Sequence, residues 1–141
     1  MIGQVGEGQP ETSVDLLKRA NIHFLGPKPY QVLPDYLRGF DVAVLPCANN
    51  EYTTSMFPLK FFEYLSAGKP IVATDLPALR HYADACILTQ TPDDFIQALD
   101  SVFKGKVPDK KKCLELAQEH TWQKRLDQME ILLIEKLKTK I

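Results

Sequence analysis

The sequence has few cysteines and no paired cysteine motif. Its three cysteines, Cys47, Cys86 and Cys113, are widely spaced and odd in number. This pattern argues against a disulfide framework and against a Cys/His metal site, since both need paired or closely grouped side chains. We therefore expect three reduced and mostly buried thiols, no bound metal and a cytoplasmic compartment.

A long apolar segment is also missing. The longest uncharged stretch, Val42–Asn50, has nine residues, whereas a membrane-spanning helix needs about 20 apolar residues. Residues 1–6 lack the basic flank and apolar core that mark a secretory signal. We therefore expect no transmembrane segment and no secretion signal.

No single charge dominates the chain. Seventeen Lys and Arg oppose eighteen Asp and Glu, for a formal net charge of -1, so the overall charge does not predict a nucleic-acid partner. Residues 101–141 are locally basic, with 10 basic and 6 acidic side chains. Their Lys and Glu residues alternate at helical spacing, which favours a solvated helix face over a phosphate- or lipid-binding surface.

Short apolar runs recur along the 141-residue chain, whose hydrophobic content of 45% is typical of a globular domain. We predict strands at Ile22–Leu25, Val42–Leu45, Pro70–Thr74 and Cys86–Thr89, with a further one at Met1–Val5. Most of these runs are apolar throughout, as in parallel strands that are covered on both faces.

Helix signals separate the apolar runs. Pro58 begins a segment that Gly68 ends, and Thr91 precedes a segment that ends at Gly105. Pro near the first position, a capping hydroxyl and Gly beyond the last residue commonly mark helix boundaries. The alternation of strands and helices predicts an α/β fold with a parallel sheet and right-handed crossovers.

A final helix is predicted after Thr121, which is placed to cap it. Its apolar residues recur at spacings of 4, 3, 4 and 4 and form one stripe: Trp122, Leu126, Met129, Leu133 and Leu137. We expect residues 121–141 to form a C-terminal helix that packs on a domain formed by residues 1–120. An exposed stripe would favour self-association.

The longest predicted loop, residues 46–57, follows the Val42–Leu45 strand and leads to the helix start at Pro58. Ligands of open parallel sheets bind at this carboxyl edge, where helix N-termini attract anions. Lys60 lies in the first helical turn, and Glu63 follows on the same face. One hypothesis is a surface ion pair between them. The other is that Lys60 contacts a ligand phosphate while Glu63 accepts hydrogen bonds from a sugar diol.

The stretch Phe40–Thr74, FDVAVLPCANNEYTTSMFPLKFFEYLSAGKPIVAT, resembles the nucleotide-sugar-binding core of GT-B glycosyltransferases of the glycosyl transferases group 1 type. Its most specific part is PLKFFEYLSAGKPIVAT, Pro58–Thr74. Asn21–Pro46 fits the strand–helix–strand run that precedes this core in the family, and HTWQKRL, His120–Leu126, fits the segment before the terminal helix. The resemblance implies a Rossmann-like second domain of a GT-B fold, with helices on both faces of the sheet.

This resemblance implies a retaining transferase that moves a sugar from a nucleoside diphosphate donor to an acceptor. Glu63 matches the carboxylate that contacts the donor ribose, and Gly26 and Tyr30 fall in the segment that matches the region near the base. The donor sugar and diphosphate are assigned to Ser55, Met56, Phe57, Pro58, Leu59 and Lys60. No cofactor and no metal are expected, since basic side chains and helix N-termini stabilise the departing diphosphate in such enzymes.

Two residues depart from the family pattern. Ser55 stands eight residues before Glu63, where many members have a second Glu, and Phe57 stands where related sequences often have Asn. A hydroxyl can bond a sugar, but it lacks the charge of a carboxylate. Both differences bear on which sugar the donor carries.

The resemblance covers the second domain without its opening strand and helix, and it does not include an acceptor-binding domain. We therefore expect a piece of a glycosyltransferase, inert by itself because transfer needs both walls of the cleft. Its expected partners are a nucleotide-sugar donor and the missing N-terminal acceptor-binding domain. A competing hypothesis is a non-catalytic, flavodoxin-like α/β binding or interaction module in which Lys60 and Glu63 form a structural pair. No catalytic residue is assigned.

Overall fold

The computed structural model describes residues 1–3 and 18–138. The chain divides into two compact units, Met1–Gly39 and Phe40–Ile141, and each is described by itself below. The expected boundary between residues 120 and 121 stays a prediction.

The first unit contains a 3₁₀ turn, Tyr30–Val32, followed by helix α1, Leu33–Arg38. The strand predicted at Ile22–Leu25 is wrong, because this segment is not assigned as a strand. It is tied instead by isolated hydrogen bonds: the Leu25 N–H donates to the Met1 carbonyl at 2.9 Å, and the Gly3 N–H donates to the Gly26 carbonyl at 3.1 Å. Two short segments joined this way do not form a regular ladder. Residues 4 and 5 of the strand predicted at Met1–Val5 lie outside the described residues, and residues 1–3 are not in a strand.

The second unit contains a parallel sheet of three strands: β1, Ala43–Leu45; β2, Ile71–Thr74; and β3, Ile87–Thr89. Their order in the sheet is β1-β2-β3, with Ala43 opposite Ile71 and Val72 opposite Ile87. Each strand falls within an apolar run that the sequence predicts to be a strand. The predicted α/β fold is therefore confirmed, and its parallel topology is Rossmann-like.

The described part of the second unit also contains five α-helices, two between β1 and β2 and three after β3. They are α2, Glu51–Ser55; α3, Lys60–Ser66; α4, Pro92–Phe103; α5, Lys110–Glu119; and α6, Trp122–Lys138. A 3₁₀ helix, Pro77–Tyr82, connects β2 to β3. Helix α2 corrects the expectation of a loop over residues 46–57. The Asn50 side chain accepts from the Thr53 N–H at 2.9 Å while the Thr53 hydroxyl accepts from the Asn50 N–H at 3.0 Å, and this reciprocal cap stabilises a short helix.

The helix boundaries follow the predicted signals closely. Helix α3 begins at Lys60, two residues after Pro58, and the chain leaves it through Gly68, whose φ of 63° suits glycine. Thr91 caps α4 by accepting from the Asp94 N–H at 3.1 Å. Helix α4 ends at Phe103, and the chain then passes through Gly105 at a φ of 82°.

Strand β2 is covered on both faces. On one face, Ile71 and Ala73 pack in a buried cluster with residues of α3 and α5. On the other face, Val72 packs with Ala98 and Val102 of α4. The period of two along a strand sends neighbouring side chains to opposite faces. A continuous apolar run is therefore what this strand requires, and the expected helices on both faces are confirmed.

Helix α6 does not pack as the sequence predicts. Thr121 caps it as expected, by accepting from the Lys124 N–H at 3.3 Å. None of its described residues is buried, however, and the five side chains of the apolar stripe are 57–71% exposed. Its attachment to the rest of the unit includes the Arg125 guanidinium, which lies 5.8 Å from the centre of the Phe62 ring. In residues 1–3 and 18–138, no helix is long and apolar enough to span a bilayer.

Candidate functional site

The three strands end at one edge of the sheet, and helix α3 begins there. The Thr74 hydroxyl at the end of β2 donates to the Cys47 carbonyl, just after β1, at 2.9 Å. At the opposite edge, the Ala43 N–H donates to the Pro70 carbonyl at 2.9 Å. Because α3 leads toward Pro70, its first turn lies on the carboxyl edge, where ligands of parallel α/β folds bind.

Lys60 and Glu63 lie side by side on this first turn. The Lys60 Nζ atom is 3.5 Å from the Glu63 Oε2 atom, and the two side chains are 61% and 32% exposed. The ion pair of the surface-pair hypothesis is therefore present. At this distance and exposure such a pair stabilises a helix by only about 0.2–0.5 kcal/mol. A ligand that offers phosphate and hydroxyl groups competes easily with so weak a contact.

The start of α3 carries little positive charge apart from Lys60. Leu59 stands at the capping position and offers no side-chain oxygen, and the helix extends over seven residues, Lys60–Ser66. Part of its first turn is already satisfied, because the Phe61 N–H donates to the Pro58 carbonyl at 2.9 Å. The lysine ammonium is therefore the main cationic group of this turn.

An aromatic cluster holds the first turn of α3 in position. The Phe57 ring stacks on Phe62 with centroids 5.3 Å apart, and Tyr82 approaches Phe62 edge-on at 5.5 Å. His120, from the end of α5, stacks on Phe62 at 4.6 Å. Phe61 is fully buried beneath them. Periodicity does not predict Tyr82 and His120 as supports of this turn, because they join it from distant parts of the chain.

The predicted sugar- and diphosphate-binding segment contains both buried and exposed side chains. Phe57 is half-buried in the aromatic cluster and Pro58 is buried, so both support the local fold. Leu59 is 61% exposed. Ser55 and Met56 line a surface depression of about 490 Å³ together with Glu51 and Tyr52. Glu51 and Tyr52 lie beside Ser55 because helix α2 forms, so their place at this depression does not follow from a sequence motif.

Comparison with known proteins identifies the family. Residues 2–105 match the family described as Glycosyl transferases group 1. The chain belongs to this family. The resemblance drawn from Phe40–Thr74 is thereby confirmed, and the matched segment contains the carboxyl edge of the sheet together with Lys60 and Glu63.

A curated relative is similar to this group 1 family member over much of the chain. It is TuaH of Bacillus subtilis (strain 168), provisionally named a teichuronic acid biosynthesis glycosyltransferase, and it is 32% identical over 114 residues. The similarity covers 77% of this chain but only 29% of the relative. The aligned part of this chain thus spans less than a third of the length of this relative.

Gly26 and Tyr30, the residues assigned to the region near the base, lie in the first unit of this group 1 domain. Gly26 adopts a φ of 68°, in the left-handed region that favours glycine. Tyr30 begins the 3₁₀ turn and is 71% exposed. Their contribution to donor binding stays a prediction.

A second charged pair follows strand β2 in the group 1 domain. The Arg80 guanidinium donates to both Asp75 carboxylate oxygens, at 2.9 and 3.1 Å. These hydrogen bonds, together with the carboxylate charge, raise the pKa of Arg80. Asp75 anchors the 3₁₀ helix through this paired contact. The bidentate geometry makes it a firmer contact than the Lys60–Glu63 pair.

The three thiols of the chain are free, and two of them, Cys86 and Cys113, are buried. Burial raises the pKa of Cys86 to about 12, and the neighbouring Cys113 adds to the effect. Burial also raises the pKa of Cys47, which is half-buried. A thiol that stays protonated at neutral pH is a poor nucleophile. The expectation that most of the thiols are buried is confirmed, whereas their reduced state stays a prediction.

Proposed function

We propose that this chain is the donor-binding part of a retaining glycosyltransferase and binds a nucleoside diphosphate sugar. The observation that carries the proposal is the pairing of Lys60 with Glu63 on the carboxyl edge of a group 1 domain. A ribose diphosphate has an anionic end, which a cation such as Lys60 can bind, and a sugar end, whose hydroxyls can donate to a carboxylate such as Glu63.

Lys60 meets the diphosphate in this proposal. Its ammonium has three donors and is 61% exposed at the side chain, so it can reach several phosphate oxygens without burying its charge. Glu63 accepts hydrogen bonds from the two ribose hydroxyls, because its two oxygens can accept from adjacent donors at once. The 3.5 Å contact between the two side chains is replaced by these stronger, charge-assisted bonds.

The segment before Lys60 holds the donor sugar. Ser55 supplies a hydroxyl beside the surface depression, and Met56 forms an apolar part of its wall. Phe57 and Pro58 hold the start of α3 in position, and Leu59 is exposed there. The assignment of Gly26 and Tyr30 to the base depends on the family resemblance alone. Lys60 also stabilises the diphosphate as it departs, which is how basic groups act on a leaving group in the absence of a metal.

Sugar transfer requires more than this chain. The acceptor and an acceptor-binding domain must be supplied, since catalysis depends on orienting both substrates. The similarity covers only 29% of the length of TuaH, which supports this proposal. We accordingly propose that the isolated chain binds donor but transfers no sugar.

The free thiols support a reducing, cytoplasmic compartment.

Titration with UDP and GDP, followed by amide chemical shifts, tests the proposal. We expect shifts at residues 53–63 and 26–30 at millimolar nucleotide. Lys60→Met and Glu63→Gln should each raise the Kd about tenfold, because each removes a charged hydrogen bond.

The matched controls are Lys111→Met and Glu115→Gln, which alter an exposed ion pair of the same composition on α5, 3.9 Å apart. They should leave the Kd unchanged. If both nucleotides leave the spectrum silent at millimolar concentration, the proposal that the isolated chain binds donor fails, and Lys60 and Glu63 are only a structural ion pair.

A kinetic test applies to a complete transferase that contains this domain. Glu63→Ala should raise KM for the donor or lower kcat, with a loss in kcat/KM of about 1–3 kcal/mol. Glu115→Ala should have no effect. Unchanged kinetics for Glu63→Ala would mean that this carboxylate belongs only to the helix surface.

A further inference from the structure

A surface depression shares two residues, Ser55 and Met56, with the predicted donor-binding segment. Its other lining side chains are Glu51 and Tyr52, and its volume is about 490 Å³. This volume lies within the ~300–1,000 Å³ of small-molecule sites. The lining combines a carboxylate, a phenol ring, a hydroxyl and a thioether. A pyranose can use these groups together, because it has an apolar face of C–H groups and a rim of hydroxyls.

Helix α2 presents the polar groups of the lining on one face. At 100° per residue, Glu51, Ser55 and Tyr52 fall within an arc of about 100°. Thr53 lies about 160° around the helix from Ser55 and is only 7% exposed. The helix packs on the 3₁₀ helix Pro77–Tyr82, and the reciprocal cap at its start stabilises its first turn. The depression is therefore held by the fold and not by a single exposed loop.

The groups on this face are open to a ligand. The Tyr52 side chain is 74% exposed, and Glu51 and Ser55 are exposed as well. Within residues 1–3 and 18–138, the Glu51 carboxylate has no hydrogen-bond or ion-pair partner, and the Tyr52 ring has no aromatic partner. Both side chains can therefore contact a sugar without first losing a contact within the protein.

The order of the groups in a nucleotide sugar agrees with a sugar at this depression. In the proposed function, Glu63 contacts the ribose and Lys60 the diphosphate. The donor sugar lies beyond the diphosphate, and the segment that precedes Lys60 in the chain leads back to Met56 and Ser55, which line the depression. The chain order Glu63, Lys60, Ser55 thus parallels the order ribose, diphosphate, sugar.

We propose that this depression binds the donor sugar and selects a neutral pyranose over a uronate, with Glu51 as the selecting group. This inference rests on the proposed function. The Tyr52 ring covers the apolar face of the pyranose, while the Glu51 carboxylate and the Ser55 hydroxyl bind its hydroxyls. Glu51 stands one helical turn before Ser55, the position at which many family members have a Glu. It thus supplies a carboxylate that position 55 lacks.

The selectivity follows from charge. Glu51 is the charged side chain of the lining, and a uronate carries a second carboxylate in place of a hydroxymethyl group. Two like charges a few ångströms apart at a protein surface should weaken binding about tenfold. A neutral pyranose has only hydroxyls there, and these donate to Glu51.

Titration with UDP, UDP-glucose and UDP-glucuronate, followed by amide chemical shifts, tests the inference. If the chain prefers guanine, the matching set is GDP, GDP-mannose and GDP-mannuronate. We expect the neutral sugar nucleotide to bind about tenfold more tightly than the uronate and to shift the amides of Glu51 and Tyr52. The difference should shrink in about 0.5 M salt, because salt screens exposed charges.

The variant Glu51→Gln should change the two sugar nucleotides in opposite directions. The Kd of the neutral one should rise about threefold, since a charged hydrogen bond is lost, and the Kd of the uronate should fall about threefold, since the repulsion is removed. The Kd of the nucleoside diphosphate should stay the same. Glu115→Gln makes the same change of net charge on α5, at a side chain 61% exposed, and should leave the selectivity unchanged.

The variant Tyr52→Leu tests the ring. It should raise the Kd of both sugar nucleotides about three- to tenfold and leave that of the nucleoside diphosphate unchanged, because only the sugar contacts the ring. Phe103→Leu is the matched control, since Phe103 is an aromatic residue 69% exposed on α4, and it should have no effect. Circular dichroism verifies that each variant stays folded.

The outcomes separate this inference from the proposed function. If the nucleoside diphosphate binds but the neutral and anionic sugars bind equally well, the selectivity is overturned and the donor-binding function stands. The same holds if Glu51→Gln changes both sugar nucleotides in the same direction, since this would indicate a structural role for Glu51. If no nucleotide and no nucleotide sugar binds, the donor-binding function fails, and the selectivity fails with it.

Discussion

At the scale of single residues, burial decides the chemistry of the titrating side chains. Cys86 is 4% exposed, and its Sγ atom lies 3.4 Å from the Tyr82 carbonyl. Tyr64 on α3 is half-buried, and burial together with the charge of Glu63 raises its pKa. Both groups therefore stay protonated at neutral pH. The charges of the candidate site come from Lys60 and Glu63, which remain in contact with solvent.

The raised pKa of Cys86 makes stability depend on pH in the alkaline range. Its pKa is about 12 in the folded chain and 9.0 in the absence of burial, so the folded state holds this proton more tightly. The contribution to stability is complete below pH 9 and is lost as the pH rises toward 12. We expect the free energy of unfolding, measured in urea, to fall over this range.

A Cys86→Ser variant should lose less stability between pH 9 and 11 than the original chain, because serine does not titrate there. Other alkaline groups contribute equally to both proteins, so their difference isolates Cys86. Parallel pH profiles would show that this thiol is not responsible for the loss.

At the scale of elements, the connection after α3 depends on one backbone conformation. Gly68 has a φ of 63°, and its N–H donates to the Leu65 carbonyl at 2.9 Å. This left-handed residue ends the helix and turns the chain into β2, so it sets where the first turn of α3 meets the carboxyl edge.

Gly68→Ala should destabilise the chain by about 1–2 kcal/mol, as expected for an L residue in the left-handed region. A Cβ atom there would approach the Lys110 Cε atom to 2.7 Å, but this flexible side chain can move away. Gly105→Ala is the matched comparison, with a φ of 82° and open space around it, and it should cost about 1 kcal/mol from the backbone alone. Urea unfolding measures both. No loss of stability for Gly68→Ala would contradict the left-handed conformation.

At the scale of the whole molecule, the second unit is a sheet between two apolar layers. Phe61 is fully buried in the layer formed by α3 and α5, while Val102 is 7% exposed in the layer formed by α4. Because β2 contributes to both layers, loss of either should weaken the same cooperative unit.

Phe61→Ala should lower the free energy of unfolding by about 3–5 kcal/mol and Val102→Ala by about 1–3 kcal/mol, each in a single transition. The control is Phe103→Ala, next to Val102 on the same helix but 69% exposed, which should change stability by less than about 0.5 kcal/mol. Thermal and urea unfolding followed by circular dichroism measure these effects. Two separated transitions in either core variant would contradict a shared cooperative unit.

The sequence by itself determined the elements whose signals are local. The apolar runs at Val42–Leu45 and Pro70–Thr74 contain strands, and the Thr91 cap begins a helix as predicted. The family could also be identified from Phe40–Thr74, because its glycosyltransferase motif is contiguous. The placement of Lys60 and Glu63 on one face follows from helical spacing alone. These features depend on neighbours within a few residues, which a sequence displays directly.

Other features were decided only by tertiary structure. The run Ile22–Leu25 has strand-forming residues but is not in a strand, because strand formation requires a regular hydrogen-bonding partner. Tyr82 and His120 support the first turn of α3 through ring contacts that connect distant segments. The stripe of α6 has the pattern of a packed helix yet is exposed. Periodicity states which side of a helix is apolar, but only the three-dimensional arrangement determines what, if anything, covers it.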